Sequence, residues 1–231
     1  MALVTLTHDL SNENARDLSI YSNDLKDAEL DEANHAINKG DNIGAYIGRD
    51  VGKSASEYRF LALYDLANAI PASANIVSAY WWLCINASTL VDPDPGYTWQ
   101  TAPVYAAAKG DRDDWHEGYV CWDNYKQYTP WTTPGGDYNA AFALPAYVPV
   151  GVAYNVWFAN DVTYHVQSIL AAGLTKVDMI FYRTDTLDDA GIVIVYTKES
   201  QTPPGSGVTV YAPHLRITYT LDSRTFQVMI R

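Results

Sequence analysis

The chain has 231 residues and a formal net charge of -12, and 48% of its residues are hydrophobic. This charge argues against binding of nucleic acid or of an anionic membrane through the bulk surface, and no stretch reaches the ~20 apolar residues of a membrane span. The chain is long enough for one large all-β domain, and its 18 Tyr and 7 Trp residues favour strands over helices.

The start of the chain does not resemble a secretory signal peptide. Residues 1–17 lack a basic segment, and their apolar run is too short for a leader. We therefore expect either a protein that is not exported by that route or one whose natural leader was replaced by a start codon.

The N-terminal part of the chain is polar and is broken by Asn and Gly. Residues 1–26 contain a short strand candidate at residues 3–7 and many Asp, Asn and Ser residues, which disfavour a helix. We interpret residues 1–26 as an arm or an added edge strand. Residues 27–48 hold short apolar pieces, which predict loops that flank short strands.

Two strands with a tight turn between them are the clearest predicted elements. Residues 58–66 and 76–85 are rich in aromatic and aliphatic side chains. Between them, Pro71 has a fixed φ angle, and the short side chains of Ser73 and Asn75 can bond the local backbone. This pattern predicts two neighbouring antiparallel strands.

Both of these strands are apolar on both faces. Successive side chains of a strand point to opposite faces, so Leu61 and Leu63 face away from the core in the first strand. Tyr80 and Trp82 do so in the second. The N-terminal arm, the long loop that follows or a neighbouring subunit must therefore cover the second face. These four side chains are candidates for an interface.

Residues 89–137 form a long irregular region that is rich in Pro and Gly. The region contains four of the seven tryptophans and two strand candidates, at residues 97–101 and 117–122. A loop of this length with large aromatic side chains either packs over one end of a sandwich or presents a binding face.

The rest of the chain predicts short strands and one helical segment. Residues 146–166 predict a strand pair, and residues 164–172 predict a short helical segment. Further strands are predicted at residues 177–183, 192–198, 214–221 and 225–230. Many short strands between Pro/Gly turns are typical of a sandwich or a barrel.

The pieces in this order resemble the DNRLRE-type domain, a jelly-roll β-sandwich module related to a family of carbohydrate-binding modules. Residues 59–66, RFLALYDL, are similar to its "RaLLkFDL" strand, with Tyr64 where Phe is usual. Further matching residues are Asn34, Asn38, Gly40, Ile70-Pro71, Trp115, Glu117, Val120-Cys121-Trp122, Trp131, Gly135-Gly136-Asp137, Trp157, Asp161-Val162-Thr163, Lys198-Glu199-Ser200 and Pro213-His214-Leu215. The resemblance implies a single antiparallel jelly-roll β-sandwich over residues 27–220. It leaves residues 1–26 and a C-terminal strand at 221–231 outside the module.

The sequence offers little support for catalysis or for a metal centre. Its five histidines are scattered, and it contains no H-E-x-x-H motif and no nucleophile elbow, so we expect no enzyme activity. Asp111, Asp113 and Asp114 supply the oxygen ligands that Ca²⁺ prefers. They predict either a structural calcium site or a solvated acidic turn.

Cys84 and Cys121 lie in strand-like segments and in no CxxC or Cys/His cluster. This placement favours two buried free thiols. A disulfide between them is the alternative. Such a bond requires a specific distance and orientation of the two side chains, which only the folded structure gives.

Binding of carbohydrate needs exposed aromatic rings beside polar donors. The aromatic residues of the loop region that lie outside the matched pattern are the candidates: Trp99, Tyr97, Tyr125, Tyr128 and Tyr138. The alternative is that these rings only pack the loop.

Two functions of different classes follow. The first is a non-catalytic structural or adhesion protein of an extracellular particle, such as a capsid decoration, head fibre or tail accessory protein of a phage virion. It would form a homo-oligomer or bind other virion proteins. The second is a secreted carbohydrate-binding module of a larger protein, with surface glycans as its ligands.

Overall fold

A computed structural model of the chain describes residues 5–7, 15–21, 25–39, 42–50, 56–67, 69–71, 73–88, 98–104, 115, 117–149, 154–184, 191–200 and 211–221. Within these residues the strands pair antiparallel throughout, and a single α-helix, α1 (Thr163–Ala171), interrupts them. The prediction of an all-β antiparallel sandwich is confirmed, and the finer assignment as a jelly roll stays a prediction.

The strands are β1 (Thr5–Thr7), β2 (Ala15–Tyr21), β3 (Leu25–Asp31), β4 (Gly44–Asp50), β5 (Ser56–Asp65), β6 (Ala74–Ser88), β7 (Trp99–Pro103), β8 (Asn124–Lys126), β9 (Thr129–Pro130), β10 (Leu144–Ala146), β11 (Trp157–Asp161), β12 (Lys176–Arg183), β13 (Gly191–Tyr196) and β14 (His214–Leu221). Short 3-10 turns lie at Glu32–Asn34, Ala140–Phe142 and Lys198–Ser200.

The long strand β6 joins the two halves of the sandwich. Its N-terminal part pairs with β14 and β11 in what we call the first sheet, where β2 and β1 extend the sheet beyond β14. Its C-terminal part pairs with β13, which leads into the second sheet of β4, β5, β3, β12, β7 and β10. Residues of the predicted arm at 1–26 thus supply β1 and β2 to the first sheet.

A core of aromatic side chains fills the space between the two sheets. Trp81 of the first sheet is fully buried, and its ring stacks on Phe60 of the second sheet at a centroid distance of 5.8 Å. Phe181 lies 6.2 Å from the same ring and 5.9 Å from Trp99. Each such ring removes on the order of 200 Å² from water, so this cluster supplies much of the hydrophobic stabilisation.

The predicted strands at 58–66 and 76–85 exist as β5 and β6, but they are not hydrogen-bonded neighbours. The edges of β5 are occupied by β3, β4 and β12, whereas β6 pairs with β14, β11 and β13. The turn at Pro71 carries the chain across the core from the second sheet to the first. The prediction of neighbouring strands is therefore wrong. The two strands are apolar on both faces, and each lies in the middle of a different sheet.

The outer face of the second sheet carries its own core. Leu61 and Leu63 are buried there against Trp122 and Trp131 of a region that we call the capping segment, which comprises Trp115 and residues 117–138. The long loop is therefore what covers this face of β5. Because this chain already buries Leu61 and Leu63, they are unavailable to a neighbouring subunit, and their prediction as interface residues is corrected.

Hydrogen bonds of tryptophan side chains hold the capping segment in place. The Trp115 indole donates to the Asp178 carboxylate at 2.9 Å, and the Trp131 indole donates to the Cys121 carbonyl at 2.9 Å. The Asn38 amide donates to the Val120 carbonyl at 2.7 Å. Residues 117–122 were predicted as a strand but form turns and irregular backbone, because side chains satisfy their polar groups in place of a ladder.

The helix α1 agrees with the predicted helical segment, and its N-cap residue, Val162, makes no side-chain capping hydrogen bond. Asp161, the residue before this N-cap, accepts a hydrogen bond from the Thr163 N–H at 2.9 Å, and Gly173, with φ +73°, follows the C-cap residue Ala172. Its buried face, with His165 and Val166, lies over the main core. No helix in the described part of the chain is long and apolar enough to cross a membrane.

Cys84 and Cys121 are both free and buried, as the favoured interpretation of the sequence predicts. Burial raises the pKa of the Cys84 thiol to about 12, so it stays a neutral thiol at physiological pH.

The buried imidazole of His165 makes the stability of the fold dependent on pH. Burial lowers its pKa from 6.5 to about 4, although the Thr101 backbone and Asp161 act in the opposite direction. Below about pH 6.5 the unfolded chain binds a proton here that the folded chain does not bind. We therefore expect stability to fall as the pH drops from about 6.5 towards 4, by up to about 3 kcal/mol from this group.

Urea denaturation of wild type, His165→Leu and His165→Gln at a series of pH values checks this expectation. Both variants remove the titrating group, so both should show a flatter dependence on pH, whatever each costs in absolute stability. A slope in both variants equal to that of wild type would contradict the assignment to His165.

Candidate functional site

A cleft of about 310 Å³ opens at the junction of the second sheet and the capping segment. Its described lining residues are Arg49, Glu57, Arg59, Tyr138, Tyr182, Arg183 and Thr184. Strand register explains why they meet. Arg49 of β4 lies opposite Glu57 of β5, and β12 pairs with β5 one residue beyond Arg59, at Phe60. The cleft thus combines side chains from three strands of one sheet, and Thr184 directly after β12, with Tyr138 from the capping segment.

The guanidinium of Arg59 lies at the centre of this arrangement. Its Nε donates to the Glu57 Oε1 at 2.7 Å, and its Nη1 donates to the carbonyl of Gly135 at 2.8 Å. The group also lies over three aromatic rings, at 4.9 Å from Trp122, 5.4 Å from Tyr138 and 5.9 Å from Tyr182. These contacts fix both the position and the plane of the guanidinium.

Two tyrosines form one wall of the cleft. The rings of Tyr138 and Tyr182 lie at a centroid distance of 4.5 Å, and the Tyr182 hydroxyl donates to the Gln100 side chain at 2.9 Å. Burial, together with the neighbouring Tyr138, raises the pKa of Tyr182 above that of an ordinary tyrosine, although Arg59 acts in the opposite direction. Tyr182 therefore stays protonated, and Tyr138, which is only half-buried, presents the accessible ring.

The structure separates the five aromatic residues predicted to bind carbohydrate. Trp99 and Tyr125 are buried, Trp99 against Phe181 and Tyr125 against Trp131, so neither offers a ring face to a ligand. Tyr138 lies in the cleft, and Tyr97 lies outside the described residues.

Tyr128 occupies a different place, at the tip of the hairpin of β8 and β9. It is 91% exposed and has a φ angle of +57°, a left-handed conformation that is uncommon for a residue other than glycine. This conformation holds the ring away from the body of the protein.

The two remaining interface candidates lie on the outer face of the first sheet. Tyr80 is 39% exposed, and Trp82 stacks on the imidazole of His214 at a centroid distance of 6.0 Å. Trp157 meets the same imidazole edge-on at 5.1 Å. We call these four side chains the aromatic row. It is a partly exposed apolar surface of the kind that packs against another protein.

The predicted calcium ligands Asp111, Asp113 and Asp114 lie outside the described residues. Within the residues that are described, no group of three or more His, Cys, Asp or Glu side chains could hold a metal ion.

Most of the cleft residues had no recognisable pattern in the sequence. Only Tyr138 was among the predicted site residues, whereas Arg49, Arg59 and Arg183 were not. A usable signal was the spacing Glu57-x-Arg59, since residues two apart on a strand share a face and can form an ion pair there. The positions of Arg49 and Arg183 beside that pair depend on the register of the strands, which the sequence pattern did not reveal.

No family model matches this chain, and no curated protein matches it either. The fold and the cleft therefore define it as an antiparallel β-sandwich with an arginine- and tyrosine-lined cleft. The resemblance to the DNRLRE-type domain stays a prediction.

The conformation of Gly135 is required for the cleft, and a matched control is available. Gly135 and Gly173 both have a positive φ angle, +88° and +73°. A Cβ at Gly135 would lie 2.8 Å from the Trp122 ring and 3.0 Å from the Arg59 Nη1, whereas one at Gly173 would meet nothing within 4 Å. We expect Gly173→Ala to cost about 1 kcal/mol in backbone strain alone. Gly135→Ala should cost about 2–4 kcal/mol, since overpacking adds to that strain.

Urea denaturation of the two variants measures the difference. Equal losses of unfolding free energy would show that the contact of Gly135 with Trp122 and Arg59 does not constrain the capping segment.

Proposed function

We propose that this chain is a non-catalytic adhesion and structural protein of an extracellular particle. The observation that supports adhesion is the cleft, in which a half-buried tyrosine ring lies beside oriented hydrogen-bond donors. A cleft of about 310 Å³ is within the range of sites that bind small ligands. An aromatic face beside polar donors suits a sugar ring, which has an apolar face and a rim of hydroxyl groups.

The environment of the only carboxylate among the described lining residues favours binding over catalysis. The Glu57 Oε1 accepts the 2.7 Å hydrogen bond from Arg59, and the backbone N–H of Glu57 donates to the Glu32 carboxylate at 2.8 Å. A general base must be able to accept a proton from a substrate. Glu57 instead serves to orient Arg59.

The aromatic row supports the structural part of the proposal. Tyr80 and Trp82 lie on the face of the first sheet that is opposite to the main core, so a neighbouring subunit could pack on them without disturbing that core. We propose that the particle is a phage virion. The chain would be a capsid decoration, head fibre or tail accessory protein that forms a homo-oligomer or binds other virion proteins.

The alternative is a secreted carbohydrate-binding module of a larger protein. The cleft supports this function equally well, because both functions need a glycan site. They differ in the use of the aromatic row, which only the particle protein needs for contact with a subunit or with a particle surface.

The glycan site is tested by removing the ring of Tyr138. Tyr138→Ala should lower affinity for a retained glycan by about 10-fold, which corresponds to the loss of one well-placed ring contact. The measurement is mobility in affinity gels, first for the wild type over a broad panel of polysaccharides and then for the variant.

Tyr128→Ala is the control for Tyr138→Ala. Tyr128 is more exposed but lies at the hairpin tip, so its loss should leave mobility unchanged. Loss of retention in Tyr128→Ala alone would move the site to the hairpin tip. Unchanged mobility of the wild type over the whole panel would overturn glycan binding.

The structural role is tested by introducing a charge on the aromatic row. The wild type should form a defined oligomer in light scattering or bind a particle. Tyr80→Glu should weaken this association by at least about 10-fold, because it buries an unpaired carboxylate at an interface. Tyr119→Glu is the matched control, since Tyr119 is similarly exposed, at 45% against 39% for Tyr80, but lies on the capping segment.

Association that survives Tyr80→Glu would exclude the aromatic row as the contact surface. A strictly monomeric wild type that binds no assembly would favour the secreted module.

A further inference from the structure

The imidazole of His165 is buried under α1 without the partners that a buried polar group needs. The residue is 1% exposed, and neither ring nitrogen has a hydrogen-bond partner among the described residues. The Thr101 backbone lies close enough to favour the protonated ring, but no contact between them has the geometry of a hydrogen bond. The hydroxyl of Thr101 is also fully buried and has no partner among the described residues. Buried polar groups that are left unsatisfied cost free energy, so the closed position of α1 is unfavourable for both side chains.

The charged groups around the ring do little to stabilise a protonated imidazole. The sequences of α1, β6 and β7 contain no Asp, Glu, Lys or Arg. On β12, Lys176 and Asp178 lie on the face towards the capping segment, and Arg183 lines the cleft. Asp161 on β11 does act on the ring, but it is exposed to solvent. Burial therefore outweighs Asp161 and lowers the pKa of His165 from 6.5 to about 4.

The other titratable side chains of these elements do not face the ring and carry no charge in weakly acidic solution. Those of β6 lie on the outer face of the first sheet, that of β12 lines the cleft, and that of α1 is exposed: Tyr80, Cys84, Tyr182 and Tyr164.

The helix can leave the core without breaking any strand pairing. It lies outside the strand ladders, and two side-chain hydrogen bonds tie it to β6. The Thr163 hydroxyl accepts from the Ala79 N–H at 2.9 Å, and the Gln167 amide donates to the Ile76 carbonyl at 3.0 Å. At its C-terminal end, Gly173 has φ +73° and open space where a Cβ would lie. Proteins open in local units at a lower cost in free energy than global unfolding, and α1 has the features of such a unit.

We infer that α1 is an acid-sensitive latch over the main core, in which protonation of His165 favours a state where the helix has left the core while the two sheets stay paired. The opened state exposes the apolar side chains of Val166 and Ile169, which the closed helix packs into the main core. This inference goes beyond the proposed function and is independent of the cleft.

The direction of the pH dependence follows from the protons that each state binds. In the opened state the ring is in water, so it binds a proton below its ordinary pKa of 6.5, whereas the closed state binds one only near pH 4. The closed state is therefore fully favoured above pH 6.5, and the latch loosens as the pH drops from 6.5 towards 4.

Site-resolved hydrogen exchange of the whole chain tests the latch. Protection factors, corrected for the intrinsic exchange rate, are compared at pH 7.5 and pH 5 for amides of α1 and of the central part of β5. The α1 amides should be less protected than those of β5 at both pH values. Their protection should fall by about 30-fold between the two, which is the effect of one group whose pKa is lowered from 6.5 to about 4. Equal protection of α1 and β5 would show that the helix opens only by global unfolding and would overturn the inference.

Variants assign the effect to one side chain. His165→Gln and His165→Leu both remove the titrating group, so the protection of α1 should then change little between the two pH values. His214→Gln is the matched control, because burial lowers the pKa of His214 to about 4 as well. His214 stacks on Trp82 on the outer face of the first sheet and stays buried when α1 opens, so His214→Gln should keep the full loss of α1 protection.

Two outcomes of the variant series contradict the latch. A pH dependence of α1 that persists in both His165 variants would assign the effect to another group. A pH dependence that His214→Gln reduces as much as His165→Gln does would show that α1 exchanges through global unfolding. Either outcome would overturn the inference.

Discussion

The guanidinium of Arg59 connects the parts of this protein that matter for binding. It belongs to β5, yet it donates to the carbonyl of Gly135 in the capping segment and lies over the ring of Trp122. A charge that is largely withdrawn from water is costly unless it is paired. The ion pair with Glu57 and the contacts with the capping segment meet that cost. The capping segment therefore has one position in which Arg59 is satisfied, and the cleft forms at that position.

The need for a capping segment arises one step earlier, in the apolar character of β5. Its side chains alternate between two cores, with Phe60 in the main core and Leu61 in the core under the capping segment. A strand that is buried on both faces needs a third layer. The tryptophans of the capping segment supply that layer, and their indole N–H groups bond to the protein, as Trp115 does to Asp178. The cleft lies where this third layer meets the sheet.

Local patterns in the sequence were sufficient to predict where most of the strands lie, but not which strands pair with each other. The bounds of β14 were predicted as observed, and β12 to within one residue, because each is an uninterrupted apolar or alternating run. The alternation of β5 also correctly assigned Leu61 and Leu63 to the face away from the main core. The error was to pair β5 with β6, since a short connection with a proline turn describes a hairpin and a crossover between sheets equally well. Whether the connection is a hairpin or a crossover depends on which other strands of the chain pair with the edges of β5 and β6.

The candidate site was harder to predict for the same reason. Aromatic residues in a long loop were a sound guide to the region, but ring exposure depends on tertiary contacts. Trp99 is in the main core, Tyr138 lines the cleft, and Tyr128 projects from a turn. The spacing of Glu57 and Arg59 indicated their ion pair, but nothing along the chain indicated that Arg183 lies beside it, because Arg59 and Arg183 are far apart in sequence and meet only through the pairing of β5 with β12. In this fold the capping segment determines where the cleft lies, and the strand register of the second sheet determines which charged side chains line it.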